Sequence, residues 1–325
     1  QEVKRGFNWS ERFDFGGVPV RRDAIVLYEH WFAADVREKG FEVTRAAGYR
    51  ETLRRTMREC LDKRVPRRDE DGLICIDIEF ACPWWGDRTG GPGLSAKIPH
   101  ATKYYDAWEK YIERAEPTLV LGRGPEERER ALRVSYEGAV RAWFAMVVEE
   151  ARAQRPGAKF AFYGIPNGSR HDNDYAGAKA AEHQGLNDRA KWMIDLADCV
   201  MLPLYQDKAI VKGNEVQRSP REITEKQGRD FIASNIAEAK RLAGDKPVYV
   251  LASMLYPDYT KDYLPNAAAK PLNPENREAM FRLPKECGAD GLIFWIHFDS
   301  AETFRTMQRE YSERVAPVLR EVVAD

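Results

Sequence analysis

The apolar positions of the chain fall into short, nearly continuous runs separated by longer amphipathic stretches. The runs are GFNW (6–9), AIVLYEH (24–30), GLICIDIEF (72–80), KFAFYG (159–164), CVMLPLY (199–205), PVYVLASM (247–254) and GLIFWIHF (291–298). Runs of this kind predict strands buried on both faces, the pattern of parallel sheets. Between them apolar residues recur at three-to-four spacing. The clearest case is Leu132, Tyr136, Val140, Phe144, Val147 and Ala151, a helix that Arg155-Pro156-Gly157 should stop. A last helix opens at Asp299-Ser300-Ala301-Glu302, an acidic variant of the capping box, and is predicted to bury Phe304, Met307, Tyr311, Val315 and Leu319. Strands alternating with helices predict an α/β architecture, and about seven of them in one domain (1–325) predict a closed (β/α) barrel with helices outside. An open doubly wound sheet is the alternative, but no glycine-rich phosphate loop follows any predicted strand.

Composition narrows the function classes. The chain has 325 residues with 51 Lys and Arg against 52 Asp and Glu, and this balance gives no electrostatic reason to expect nucleic acid or an anionic membrane as partner. No apolar run approaches the roughly 18 residues that a bilayer span needs. The five cysteines lack metal-type spacing, and Cys75 and Cys199 read as small buried hydrophobes. No metal and no cofactor is expected. The first residue is Gln1, which fits either a removed signal peptide, and so a secreted or periplasmic protein, or a trimmed chain. Oligomeric state is left open.

One predicted strand carries two acids. In GLICIDIEF, Asp77 and Glu79 are two residues apart and so point to one face with Cys75, while Ile74, Ile76, Ile78 and Phe80 point to the other. Acids at the C-terminal end of a barrel strand reach the mouth where barrel sites lie. Burial and mutual repulsion raise the pKa of one of them, leaving a protonated acid beside a carboxylate, the pair glycoside hydrolysis uses. The structural alternative is a buried, hydrogen-bonded or Arg-paired couple. Trp84 and Trp85 follow, suited either to stacking on sugar faces or to anchoring the core. Tyr163, Tyr205 and Trp295 lie at other strand ends, and together with the acids they suggest a carbohydrate cleft. Segments 77–88, 163–175, 205–218, 254–266 and 295–300 would ring the mouth, which adds Arg88 and Tyr256 as substrate-binding candidates.

Four stretches then match one family in order and spacing over roughly residues 70 to 310. SYEGAVRAWFAMVVEEARAQRPGAKFAFYGIPN (135–167), LNDRAKWMIDLADCVMLPLY (186–205), GLICIDIEFACPWW (72–85) and CGADGLIFW (287–295) resemble corresponding segments of the hyaluronidase family of animal and venom enzymes. The resemblance is that of a divergent, bacterial-type member. It implies a distorted TIM-like barrel and a retaining endo-β-N-acetylhexosaminidase acting on a hyaluronan- or chondroitin-like polysaccharide. It implies substrate-assisted catalysis, in which the substrate's own acetamido oxygen attacks the anomeric carbon. Carried over, Glu79 is acid and then base, Asp77 orients the acetamido group, Tyr205 hydrogen-bonds it, and Tyr163 and Trp295 line the reacting sugar's subsite. The chain departs from the pattern at Ile78, where the family has Trp, at Cys82, where it has Arg, and near Asn167-Gly168, where a family cysteine is missing. Arg88, Lys97 or Arg170 are candidates to replace the lost charge. The same acids acting on another linkage, or a non-catalytic carbohydrate-binding barrel, are the alternatives.

Weaker signals complete the reading. His171, Asp172 and Asp174 form a polar loop without ordinary metal spacing, His297 faces a cleft or caps a helix, and His30 lines the mouth or is a satisfied buried histidine. The sequons at 8–10 and 167–169 matter only in a eukaryotic secretory pathway.

Overall fold

The computed structural model describes residues 13–21, 24–79, 85, 101–166, 180–205, 209–211, 222–256, 271–294 and 301–324. The chain forms two compact units, one of Asp23–Asn167 and Gly185–Cys199, the other of Gln1–Arg22, Gly168–Gln184 and Val200–Asp325.

The first unit is built on β1 (Ala24–Tyr28), β2 (Leu73–Asp77) and β3 (Lys159–Phe162). They form a parallel sheet with β2 in the centre. The central strand is buried on both faces from Ile74 to Asp77, which is why its sequence is apolar without alternation. Around it lie α1 (Ala34–Lys39), α2 (Tyr49–Arg64), α3 (Ala101–Ala115) and α4 (Pro125–Gln154). The periodic residues expected at 132–151 are the buried stripe of α4, with Trp143 donating its indole N–H to Tyr49 Oη at 2.8 Å. Each such large side chain taken from water is worth roughly 2–3 kcal/mol.

Helix α4 stops where the sequence predicts. Pro156 excludes the helical region for Arg155, which turns out at φ −136° and ψ 72°. The turn drops Arg155 into the core with no exposed surface. Its Nε donates to Val65 O at 2.7 Å and its Nη2 to Asp62 Oδ1 at 2.9 Å, tying the end of α4 to the end of α2. One face of α4 also holds the buried Glu150, gripped by Arg50 Nε at 2.7 Å and Arg54 Nε at 2.9 Å. Asp198 fixes β3 by accepting the Phe160 N–H at 2.8 Å and Arg152 Nη2 at 2.8 Å.

In chain order there follow α5 (Ala180–Leu196), whose residues from Gly185 belong to the first unit, then β4 (Val200–Pro203), β5 (Ala209–Val211), β6 (Glu222–Thr224), α6 (Glu225–Ala243), β7 (Val248–Ala252), α7 (Pro274–Phe281), α8 (Leu283–Glu286), β8 (Gly291–Phe294), α9 (Ala301–Glu310) and α10 (Ala316–Ala324). Strands β4, β7 and β8 form a second parallel sheet in that order, and β5 pairs with β6 in parallel. Helix α6 opens with a capping box: Thr224 Oγ1 accepts the Gln227 N–H at 3.2 Å and Gln227 Oε1 accepts the Thr224 N–H at 2.9 Å.

The two termini of the described chain clasp each other in this unit. A π-helical turn, Tyr311–Val315, joins α9 to α10. Tyr311 is fully buried, packs edge-on against Phe13 and Phe15 at 5.3 and 5.4 Å, and donates its hydroxyl to Phe15 O at 2.9 Å. Gln308 exchanges hydrogen bonds with the Asp14 backbone at 2.8 and 2.9 Å, and Arg320 reaches Gly16 O at 2.9 Å.

Six of the seven expected strand runs contain strands, and the seventh, 6–9, lies outside the described residues. Among the described residues the ladders make two three-stranded sheets and a two-stranded one, in which β5 pairs with β6. In the last helix Met307, Tyr311, Val315 and Leu319 are buried as expected, while Phe304 is half-buried, edge-on to Phe13 at 6.0 Å.

Candidate active site

The C-terminal ends of β1, β2 and β3 set three side chains in a row. The register pairs Tyr28 with Asp77, and the Tyr163 N–H donates to Ile76 O at 3.1 Å, which puts Tyr163 beside Asp77 on the other side. Beyond the strand ends opens a cavity of about 740 Å³. Asp77 and Glu79 line it with Tyr28, Glu29, His30, Arg37, Lys103 and Tyr104.

The acids expected to pair do so. Asp77 is 4% exposed, whereas Glu79, beyond the end of β2, is exposed at the mouth, and their carboxyls share a hydrogen bond. Asp77 is pushed up to about 8, first by burial, then by the charges of Glu79 and Glu29. Glu79 is also raised, first by the protein stripping water from its carboxyl and then by Glu29, while its bond to Asp77 pulls it back. The pair therefore holds one proton near neutral pH, and that proton belongs to the couple, with Asp77 its more buried end. Asp77 Oδ1 is buried with no hydrogen-bond partner among the described residues, so one face of this carboxyl has an unused polar atom. Tyr28, raised to about 12 by burial and then by Asp77 and Glu79, stays a neutral phenol.

A third carboxylate was not foreseen. Glu29 opens the turn after β1, is 8% exposed and lies 3.7 Å from Arg37 Nη1. Tyr104 donates its hydroxyl to Arg37 O at 2.7 Å, which holds α1 against α3 at the cavity wall. The rule that drew attention to Asp77, a polar side chain at the end of an apolar run, applies equally to Glu29. Only the Asp-x-Glu repeat made the first more visible. His30 lines the cavity as an exposed ring stacked on Tyr28 at 5.7 Å, so it is not a satisfied core histidine.

Two expected substrate-binding aromatics are spent on structure instead. Trp85 is 4% exposed, with rings of Tyr105 and Tyr136 at 4.8 and 5.4 Å. Its backbone N–H goes to Glu137 at 3.0 Å and its indole N–H to Glu129, so no ring face is left for a sugar. Tyr256 is 5% exposed and gives its hydroxyl to Asn276 Oδ1 at 3.0 Å. Both are aromatics with a polar tip, which the core can satisfy as well as a cleft can. Tyr163 is half-buried, and Tyr205, just after β4 in the second unit, is half-buried too. Trp84, Arg88 and Trp295 lie outside the described residues, as do Cys82, Lys97, Arg170, His171, Asp172, Asp174 and His297. Cys75 and Cys199 are buried, as their apolar setting suggests.

An α/β chain whose described strands pair in parallel, with a proton-sharing acid pair at a strand end, defines the class, and its fold is that of known hyaluronidases. The crystal structure of bee venom hyaluronidase matches with a TM-score of 0.67 at 17% identity, over 92% of this chain and 88% of that one. The structure of the bee enzyme in complex with a hyaluronic acid tetramer matches with a TM-score of 0.63 at 16% identity, over 84% and 77%. The family model described as hyaluronidase, glycosyl hydrolase family 56, matches residues 43–323, and the chain belongs to that family. It is 24% identical to human hyaluronidase-1 over 274 residues and 25% identical to hyaluronidase Tab y 2.0101 of Tabanus yao over 266 residues. These alignments take in 80% and 81% of this chain but 54% and 66% of the relatives, so it spans just over half of the first and about two-thirds of the second.

Proposed function

We propose that this chain is a retaining endo-glycoside hydrolase that cleaves β-N-acetylhexosaminide linkages in a hyaluronan- or chondroitin-like polysaccharide. The observation that carries the reading is the hydrogen-bonded Asp77–Glu79 pair with its single proton, in a chain of this family. The two aromatics that flank Asp77 across the sheet, Tyr28 and Tyr163, fit a sugar held over the pair. In this reading the substrate's acetamido N–H donates to Asp77. Asp77 accepts it only as a carboxylate, so the shared proton passes along the existing hydrogen bond to Glu79. Glu79 then protonates the glycosidic oxygen as the acetamido oxygen attacks the anomeric carbon. The oxazolinium-type intermediate carries positive charge beside Asp77, a preorganised carboxylate worth several kcal/mol where water is scarce. Glu79 next deprotonates the incoming water, and two inversions leave the β configuration unchanged. Tyr205 as a hydrogen-bond donor to the acetamido group, and Tyr163 and Trp295 as walls of the subsite, belong to the same proposal. So do a single distorted barrel of about seven strands, supported by the parallel ladders and the fold likeness, and a secreted or periplasmic location, in keeping with the venom origin of the bee relative. No described helix is long and apolar enough to cross a membrane.

Reducing-end release from hyaluronan, chondroitin, a chitin-type chain and heparosan tests the activity. Glu79→Gln keeps the side-chain shape but supplies no proton, and should slow turnover by about two orders of magnitude or more. Comparable cleavage at a scissile sugar lacking an N-acetyl group would refute the substrate-assisted route. Wild-type turnover in Glu79→Gln would remove Glu79 from the chemistry.

A further inference from the structure

Next to the acid-lined cavity lies a second one of about 480 Å³, set along α3. Lys103 lines both. The wall of the second continues with Ala107, Lys110, Tyr111 and Arg114, spaced so that they form one stripe on the helix. Lys103, Lys110 and Arg114 are exposed, with the smaller and flatter Ala107 and Tyr111 between them. Elsewhere in this unit Arg50, Arg128, Arg152 and Arg189 each have a carboxylate at 2.6 to 2.8 Å. Among the described residues no ion pair holds Lys110 or Arg114, and Lys103 makes a 3.4 Å bond to Arg37 O and lies 5.6 Å from the Tyr104 ring. Two carboxyls share the groove, Asp106 and Glu42. Burial pushes Glu42 up, against a hydrogen bond from its own backbone and the pull of Arg114 and Lys103, so the charge of this one of the two acids is disfavoured.

We infer that this face of α3 is a binding track for the carboxylates of a uronic-acid-bearing polysaccharide, leading from the acid-lined cavity along Lys103, Lys110 and Arg114. From Lys103 to Lys110 is about two helical turns, ~10 Å, the scale of one disaccharide, so these two cations can meet successive carboxylates of an alternating chain, and Arg114 extends the charge by about one more turn. Ala107 and Tyr111 give sugar faces a surface between the charges. The track supplies positive charge from a helix, where the family pattern has an Arg at the position of Cys82. This inference rests on the polysaccharide hydrolase reading and extends it to the substrate's charge.

The test compares the parent chain with Lys110→Glu/Arg114→Glu and Lys110→Gln/Arg114→Gln, with thermal melts to verify folding. The probes are long-chain hyaluronan, a hyaluronan tetrasaccharide and a neutral chitin-type oligomer, by affinity measurement and reducing-end assay across a salt series. The charge-reversed variant should bind long hyaluronan about tenfold more weakly at low salt, with a loss in KM rather than kcat and a flatter salt dependence. The glutamine variant should lie between. The loss should be smaller for the tetrasaccharide, which carries fewer carboxylates, and vanish for the neutral oligomer, which carries none. Parent-like affinity for long hyaluronan in the charge-reversed variant overturns the track. An equal loss on the neutral oligomer also overturns it, as general damage to the groove. If the parent releases no reducing ends yet binds hyaluronan through these residues, the hydrolase reading fails and the track stands. If the parent cleaves hyaluronan and the variants match it, the track fails and the hydrolase stands.

Discussion

Replacing Asp77 by Asn should stabilise this protein at neutral pH while abolishing its chemistry. In the unfolded chain an aspartate loses its proton near pH 3.9. In the folded chain burial, then the charges of Glu79 and Glu29, hold the proton on Asp77 up to about pH 8. Between those values the folded state binds one more proton than the unfolded state. Stability therefore falls as pH rises, by about 1.4 kcal/mol per pH unit for one proton. From pH 5 to 7 the wild type should lose about 3 kcal/mol that the variant keeps, because Asn carries no proton to lose and its amide N–H still donates to Glu79. The size comes from the number of protons, so it does not depend on where within the pair the proton sits. Melting curves of both proteins at pH 5, 6, 7 and 8 would measure it. The variant's advantage should widen with pH, reaching several degrees at pH 7, and level off above pH 8. Two melting profiles that run parallel from pH 5 to 8 would mean that Asp77 titrates normally, and the shared-proton account of the site would fall with it.

Three further outcomes follow from the same geometry. Glu29→Gln removes a negative charge that raises both acids, so the alkaline limb of the kcat/KM profile should move down by roughly half to one pH unit, and an unmoved limb would take Glu29 out of the site's field. Arg155→Met fills the buried slot but leaves Val65 O without its donor, and should cost about 2–4 kcal/mol in denaturant titrations of the intact chain; a loss under half a kcal/mol would show the buried guanidinium to be dispensable. Glu150 is held below the ordinary carboxylate range by Arg54 against the cost of burial, with Arg50 assisting. Its contribution is thus complete above about pH 4.3 and is lost as pH falls through the lower folded value, so Glu150→Gln should weaken the protein at pH 7 and leave it less acid-sensitive, measured as the change in melting temperature between pH 6 and 3.

What could be read in the sequence is what the backbone period dictates. Apolar runs between amphipathic stretches marked the strands of both three-stranded sheets, and the Arg-Pro-Gly stretch marked the end of α4 within a residue. The pairing of Asp77 with Glu79 was legible because side chains two apart on a strand must share a face. Strands β5 and β6 were not legible: at three residues each they are too short for any period to show. Aromatic residues were read less well, because Trp85 and Tyr256 beyond strand ends look the same whether their polar tips meet a sugar or a Glu or Asn of the protein itself. Glu29, Arg37 and Lys103 come from a strand end and two helices far apart in the chain, and only the fold brings them to one cavity. No local pattern marks such a meeting.

The clasp between the Phe13–Gly16 segment and the helical stretch α9–α10 sets an order on biosynthesis. The Tyr311 hydroxyl that closes on Phe15 lies 296 positions later in the chain. At a synthesis rate of about 5–20 residues per second, Phe13 and Phe15 wait roughly fifteen seconds to a minute for the side chains that cover them. During that interval the first unit, whose β1, β2 and β3 are all made by residue 162, can already assemble its sheet. The aromatic segment before it has no partner yet on the ribosome. It is therefore the place where a nascent chain of this protein would need a holdase, and its capture is released only by the emergence of the last two helices.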